Sequence, residues 1–239
     1  MEKEYIQIMN EDIVIPAVVW GRENSKIFIA VHGNLSNKED TVVSMLAEKA
    51  IEKGYKVVSF DLPMHGERIG QDYQCNPQNC VSDLSVVYEY AKGISQEISL
   101  FACSMGAYFS LLAYHDFDIK QALFLSPVVN MEQIIHNMMT GFGVSEERLQ
   151  KEKLIELPIG QNLEWEYFSY VKTNPINFAW NIPTAILYGT ADNLCERKEI
   201  SSFTKRYHAN LQIVERGEHY FHTKEQLNAL NEWIDKKII

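Results

Sequence analysis

Ser104 has the strongest claim to chemistry in this sequence. It closes the apolar run Ile98-Ser99-Leu100-Phe101-Ala102-Cys103 and opens Met105-Gly106-Ala107-Tyr108-Phe109, so a strand passing straight into a helix sets it on a sharp turn. Such a turn presses together the residues two places to either side, where only small side chains fit. Ala102 and Gly106 supply them, and no other serine in the chain has a small residue at both positions. The turn also puts the hydroxyl at the positive end of a helix, where a developing oxyanion is stabilised.

A serine hydroxyl is a weak nucleophile at neutral pH and needs a base to take its proton. His219, in Gly217-Glu218-His219, follows the last expected strand at the carboxyl edge of the sheet, where Ser104 also emerges. His222 is its close rival. His115, His136 and His208 fall on or after helices, and His32 and His65 fall in glycine-containing turns. The histidine in turn needs an acceptor on a neighbouring loop. Asp192 ends Leu187-Tyr188-Gly189-Thr190-Ala191-Asp192 at that edge; its plainer alternative role is to cap the helix that begins near Glu196. Together the three types predict acyl transfer through Ser104, His219 and Asp192.

The elements that must hold these residues alternate along the chain. Residues 5–9 and 12–20 read as an antiparallel hairpin. Strands follow at 26–31, 55–60, 97–103, 119–125, 184–189 and 210–215, with helices at 40–53, 82–92, 105–114 and 196–208 between them. A last helix starts at Thr223, with Thr223 and Gln226 suited to a capping box. This rhythm predicts an α/β fold, a mostly parallel sheet with helices on both faces, in one domain spanning 1–239. The interval 128–181 breaks the pattern. It is helical and aromatic in character and is expected to form a lid whose Met131, Met138, Met139, Phe142, Trp165, Tyr167, Phe168, Tyr170, Phe178 and Trp180 wall an apolar pocket or bury the lid itself.

Composition narrows the function classes. The net charge of −10 and the lack of any dense Lys/Arg cluster argue against a nucleic-acid partner. The N-terminus lacks the apolar stretch of a signal peptide and no segment reaches the ~18 apolar residues of a membrane span, which predicts a cytoplasmic protein. Cys75, Cys80, Cys103 and Cys195 lack zinc-site spacing. No metal or cofactor is expected, and Cys75 and Cys80 are expected as ordinary thiols in a surface loop.

The chain resembles the α/β-hydrolase family over nearly its whole length. The resemblance rests on the elbow Ala102-Cys103-Ser104-Met105-Gly106, on the order Ser, Asp, His, on His32-Gly33-Asn34 after the first central strand, and on Asp61-Leu62-Pro63-Met64-His65-Gly66 after the next. It implies an oxyanion hole formed by the backbone N–H groups of Asn34 and Met105, and a structural role for the Asp61–Gly66 turn. Ala102 stands where glycine is usual, and the long glycine run of some lipases is absent. The expected activity is hydrolysis of a small or medium acyl or aromatic carboxylic ester. A peptidase, acyl-peptide hydrolase or thioesterase is the alternative, and a binder that keeps the fold without turnover a further one.

Overall fold

The computed structural model describes residues 1–239. Strands β1 (Lys3–Asn10) and β2 (Ile13–Trp20) form the opening hairpin, turning at Glu11, whose φ is +53°. The chain then runs through β3 (Lys26–Val31), α1 (Thr41–Glu52), β4 (Lys56–Phe60), α2 (Pro77–Ile94), β5 (Glu97–Cys103), α3 (Ser104–Tyr114) and β6 (Ala122–Leu125). A short 3-10 turn at Gly66–Arg68 lies between β4 and α2. Next come α4 (Met131–Gly141), α5 (Glu146–Glu152), β7 (Leu154–Glu156), β8 (Asn162–Glu164) and α6 (Trp165–Thr173). The chain ends with β9 (Thr184–Gly189), α7 (Arg197–Tyr207), β10 (Asn210–Val214) and α8 (Lys224–Lys237).

Eight strands make one sheet in the order β1-β2-β4-β3-β5-β6-β9-β10. β2 runs antiparallel to β1 and β4, and every pairing from β4 through β10 is parallel. Because both faces are covered, the central strands are buried without alternation: all five residues of β4 and all six of β9 are buried. α1 and α8 pack one face through Leu46, Leu230 and Trp233, while α2, α3 and α7 pack the other through Leu84, Phe109 and Phe203. No helix is long and apolar enough to cross a membrane.

The helix ends follow their sequence signals with informative exceptions. Asp40 caps α1 as expected. α2 begins five residues before the expected 82, because Asn76 accepts from Asn79 N and Pro77 occupies the first helical position, where a missing N–H costs nothing. Thr223 caps α8, but Gln226 makes the return bond of a capping box to His222 N, one residue early, and also reaches Arg216 O and Glu218. Within 128–181 the structure adds a β7–β8 hairpin to the expected helices, closed by the turn Leu157-Pro158-Ile159-Gly160. Strands of three residues carry too little periodicity to read from sequence.

Candidate active site

β5 delivers Ser104 to the start of α3 with φ +48°, a left-handed conformation that a non-glycine residue adopts only when its surroundings impose it. The imposing contact is visible on the far side of the turn. A Cβ at position 106 would lie 2.3 Å from the His32 carbonyl oxygen and 2.9 Å from that of Val31, so only glycine lets α3 approach β3 this closely. Ala102 is fully buried at the end of β5, where its methyl is accommodated. The steric argument for small neighbours therefore holds, with Gly106 the stringent position and Ala102 the permissive one.

Two parallel strands away, the loops after β9 and β10 are pressed together. A Cβ on Gly189 would fall 2.1 Å from Gly217 O, and the loops are joined by Ala191 N to Gly217 O at 2.8 Å and Arg216 N to Thr190 Oγ1 at 2.8 Å. This contact sets Asp192 beside His219. Asp192 Oδ2 lies 2.8 Å from His219 Nδ1, and His219 Nε2 lies 2.8 Å from Ser104 Oγ. With the carboxylate accepting from Nδ1–H, the neutral ring presents the Nε2 lone pair to the serine hydroxyl. Asp192 is enclosed and the histidine is slightly exposed.

Asp192 does not cap α7, whose first flanking residue is Glu196. Its second oxygen accepts from Leu194 N at 2.9 Å and Cys195 N at 2.8 Å, which fixes the carboxylate plane and leaves Oδ2 for the imidazole. His222, the rival base, is half exposed, stacks on Tyr220 and bonds its own loop at Tyr220 O. His115, His136 and His208 also lie outside this group: His115 bonds Leu112 O, His136 packs on Phe168, and His208 ends α7.

Asn34, Met105 and Ser104 line one cavity of about 650 Å³. Met105 is the second residue of α3, so its N–H has no acceptor within the helix. The opposite wall comes from the insertion: Met131, Ile134, Ile135 and Met138 of α4, and Gln161 to Glu164 and Tyr167 from the β8–α6 segment. Of the insertion residues expected to form a pocket wall, Met131, Met138 and Tyr167 reach the cavity. Met139, Phe168 and Trp180 are buried in the core instead, and Phe142 faces solvent. Helix periodicity separates these roles only when the neighbouring helices are known.

The sequence matches no protein-family model and no curated protein. Solved structures match over nearly full length. Est1E from Butyrivibrio proteoclasticus, seen with ferulic acid bound, superposes with a TM-score of 0.82 at 20% identity, covering 97% of this chain and 96% of that one. The esterase Pf2001 from Pyrococcus furiosus gives 0.72 at 20% identity, with 98% and 90% covered. A lidless α/β serine hydrolase from Xanthomonas campestris gives 0.68 at 15%, with 98% and 93% covered. The chain has the α/β-hydrolase fold. In this α/β-hydrolase fold the insertion between β6 and β9 supplies part of the lining of the cavity beside Ser104.

Beneath the cavity the fold rests on a polar network that sequence reading placed only as turns. His32 is buried. It takes Leu62 N on Nε2 at 3.0 Å and gives its Nδ1 proton to Gly33 O at 2.7 Å, so a neutral ring ties the loop carrying Asn34 to the turn after β4. In that turn Asp61 accepts from Lys38 N, Lys38 Nζ and Glu67 N, and a Cβ on Gly66 would lie 2.3 Å from its carboxylate. The structural role implied for this motif thus has a physical cause: glycine is needed to wrap the backbone around a buried carboxylate.

Desolvation holds His32 down to about 4, against the pull of its bond to Gly33 O. The folded state keeps the ring neutral, whereas the unfolded chain takes up a proton below about 6.5. The His32 contribution is therefore whole above pH 6.5 and is lost as the pH falls towards 4, on the order of 3 kcal/mol in all. Urea unfolding of wild type and His32→Asn between pH 7 and pH 4 is expected to show a shallower decline in the variant. Parallel declines would remove His32 as the cause.

Cys195 is a neighbour that sequence reading did not place. Its sulfur lies within 4.8 Å of the ligand atoms of Asp192 and His219. Burial pushes this thiol up, so it stays protonated, and the Asp192 and His219 atoms already bond each other. The set does not offer a metal three ready ligands.

Proposed function

We propose that the chain is a serine hydrolase that cleaves small or medium acyl or aromatic carboxylic esters through an acyl-enzyme on Ser104. The observation that carries this reading is the unbroken hydrogen-bonded chain from Ser104 Oγ through His219 to Asp192, opening onto a mainly apolar cavity. Ser104 Oγ attacks the acyl carbon as His219 Nε2 takes its proton, and the imidazolium, steadied by Asp192, returns that proton to the leaving alkoxide. The amides of Asn34 and Met105 at the start of α3 hold the oxyanion. Water activated by the same imidazole then releases the acid.

The cavity favours an uncharged acyl group. No Lys or Arg lines it, and its titratable side chains are His65, Cys75, Glu164 and Tyr167. A free carboxylate on the acyl chain would find no Lys or Arg there and would meet Glu164, in a protein whose net charge is −10. Est1E holds ferulic acid, and an aromatic acid of that size is compatible with about 650 Å³. A panel of p-nitrophenyl esters from C2 to C16, methyl ferulate, a hemisuccinate ester, a thioester and an anilide is expected to give the highest kcat/KM for neutral short to medium and aromatic esters. The hemisuccinate is expected at least about tenfold lower, since an unpaired charge costs more than one factor of ten in affinity. Turnover confined to the anilide or to anionic esters would overturn this substrate class.

A further inference from the structure

Cys75 lines the cavity that holds Ser104, and Cys80 lies directly behind it, with the two sulfurs 3.8 Å apart. The pair arises from helix capping. Asn76 caps α2, so Cys75 precedes the cap and Cys80 is the fourth helical residue, the two positions that pack together at many helix starts. Two apolar side chains would serve that packing equally well. What sets this pair apart is its place: Cys75 shares the cavity wall with the His65 imidazole, whose Nδ1 lies 2.8 Å from Pro63 O and whose Nε2 lies 3.1 Å from Asn34 Oδ1. Cys80 is fully buried and Cys75 half-buried, so one thiol meets the cavity and the other waits beneath it.

We propose that Cys75 is a second nucleophile of this cavity, a modification site that reduces hydroperoxides and is resolved by Cys80 to a Cys75–Cys80 disulfide. This chemistry uses neither Ser104 nor His219 and stands apart from the ester reading. The Cys75 thiolate attacks the terminal oxygen of a hydroperoxide; an S–O bond forms, the O–O bond breaks, and the alkoxide leaves with the electron pair, taking a proton from water. Cys80 then attacks the sulfenic sulfur; the S–S bond forms, the S–O bond breaks, and hydroxide leaves with the Cys80 proton as water. Two thiols lose two electrons, and the hydroperoxide becomes an alcohol and water.

Charge states around the pair favour this division of labour. A hydrogen bond from Cys80, assisted by His65 and Arg68 and opposed by burial, pulls the Cys75 thiol below the ordinary thiol range. Burial, reinforced by its neighbour Cys75, pushes Cys80 up. Burial opposes a charge on His65, yet its bond to Pro63 O and the neighbouring Cys75 and Asp61 hold it above the usual histidine range. A thiol pulled below its ordinary range, at the start of an 18-residue helix, is the setting in which cysteine is reactive. Cys103 and Cys195 are both buried and both pushed up, which makes them internal controls.

The test is oxidation of the folded, reduced protein with a tenfold excess of cumene hydroperoxide at pH 7, read by intact mass and by peptide mapping after alkylation. Wild type is expected to lose two mass units and to yield one 75–80 crosslink, with Cys103 and Cys195 still free. Cys80→Ser is expected to hold a sulfenic acid on Cys75 that dimedone captures, and Cys75→Ser to do neither. Four free thiols in treated wild type would overturn the proposal, as would oxidation at Cys103 or Cys195 at the rate of Cys75. The wild-type result stands whether or not the variants fold, and far-ultraviolet circular dichroism establishes that they do.

Discussion

Ser104→Ala is expected to leave a folded protein whose hydrolysis of a neutral ester such as p-nitrophenyl acetate has fallen by about 10⁴ to 10⁶. Loss on that scale follows because the covalent step needs an oxygen at the elbow, and the residual rate comes from the oxyanion donors and binding alone. Folding is spared for reasons local to the turn. The hydroxyl makes one hydrogen bond, to His219, and the half-exposed site lets water replace it. The Ser104 Cβ and the carbonyl that accepts from Val128 N are both kept by alanine. A thermal midpoint within about 3 °C of wild type is the matching stability readout. Near wild-type turnover in the variant would refute the nucleophile assignment.

The largest stability effect is expected away from Ser104, at Asp83. Arg68 and Asp83 are both fully buried and their ion pair is 2.6 Å long. Asn10 and Tyr73 also donate to the carboxylate, and Arg68 gives further bonds to Asp61 O and to Gln71. Arg68 Nη2 has no partner, so the guanidinium is already imperfectly satisfied. Asp83→Ala strands its charge in the interior, a change that costs about 3–5 kcal/mol, against the ~5–15 kcal/mol that holds a typical domain together. Urea titration is expected to show that loss. An apolar exchange of both partners, Arg68→Met with Asp83→Leu, is expected to recover most of it, because no charge is then left unpaired. A cost below about 1 kcal/mol for Asp83→Ala would mean that water reaches the guanidinium. The effect extends towards the site through Asp61 O, since the same turn gives Leu62 N to His32 and so steadies the loop that carries Asn34.

How much of this was legible in the sequence depended on the range of each constraint. The elbow was readable because its demands are local: a strand, a serine and small residues two places away, with the 2.3 Å approach at Gly106 giving the demand its cause. Asp192 and His219 were readable because both sit at strand ends, where parallel topology gathers loops at one edge. That His219 and not His222 meets Ser104 depends on the Gly189–Gly217 contact, which no pattern in one sequence reveals. The sequence alone leaves Asp192 as catalytic acid or helix cap. It does satisfy loop amides, but with the oxygen that His219 does not use.

What stayed hidden required residues from separate turns to meet. His32, Leu62, Asp61 and Lys38 read as two unrelated loops until β3 and β4 lie side by side. Cys75 and Cys80 read as ordinary thiols because their place beside the cavity depends on how the turn after β4 packs against the start of α2. The aromatic insertion was recognisable as an interruption, yet which of its side chains face the cavity follows from packing between α4, α6 and the sheet.

A fluorophosphonate probe with mass readout on intact, folded protein joins geometry to chemistry in one step. One adduct on Ser104 of wild type is expected, with none in Ser104→Ala and a strongly slowed reaction in His219→Ala. Folded wild type that takes up no probe, or a Ser104→Ala protein labelled as readily as wild type, would contradict the assignment of Ser104 as nucleophile.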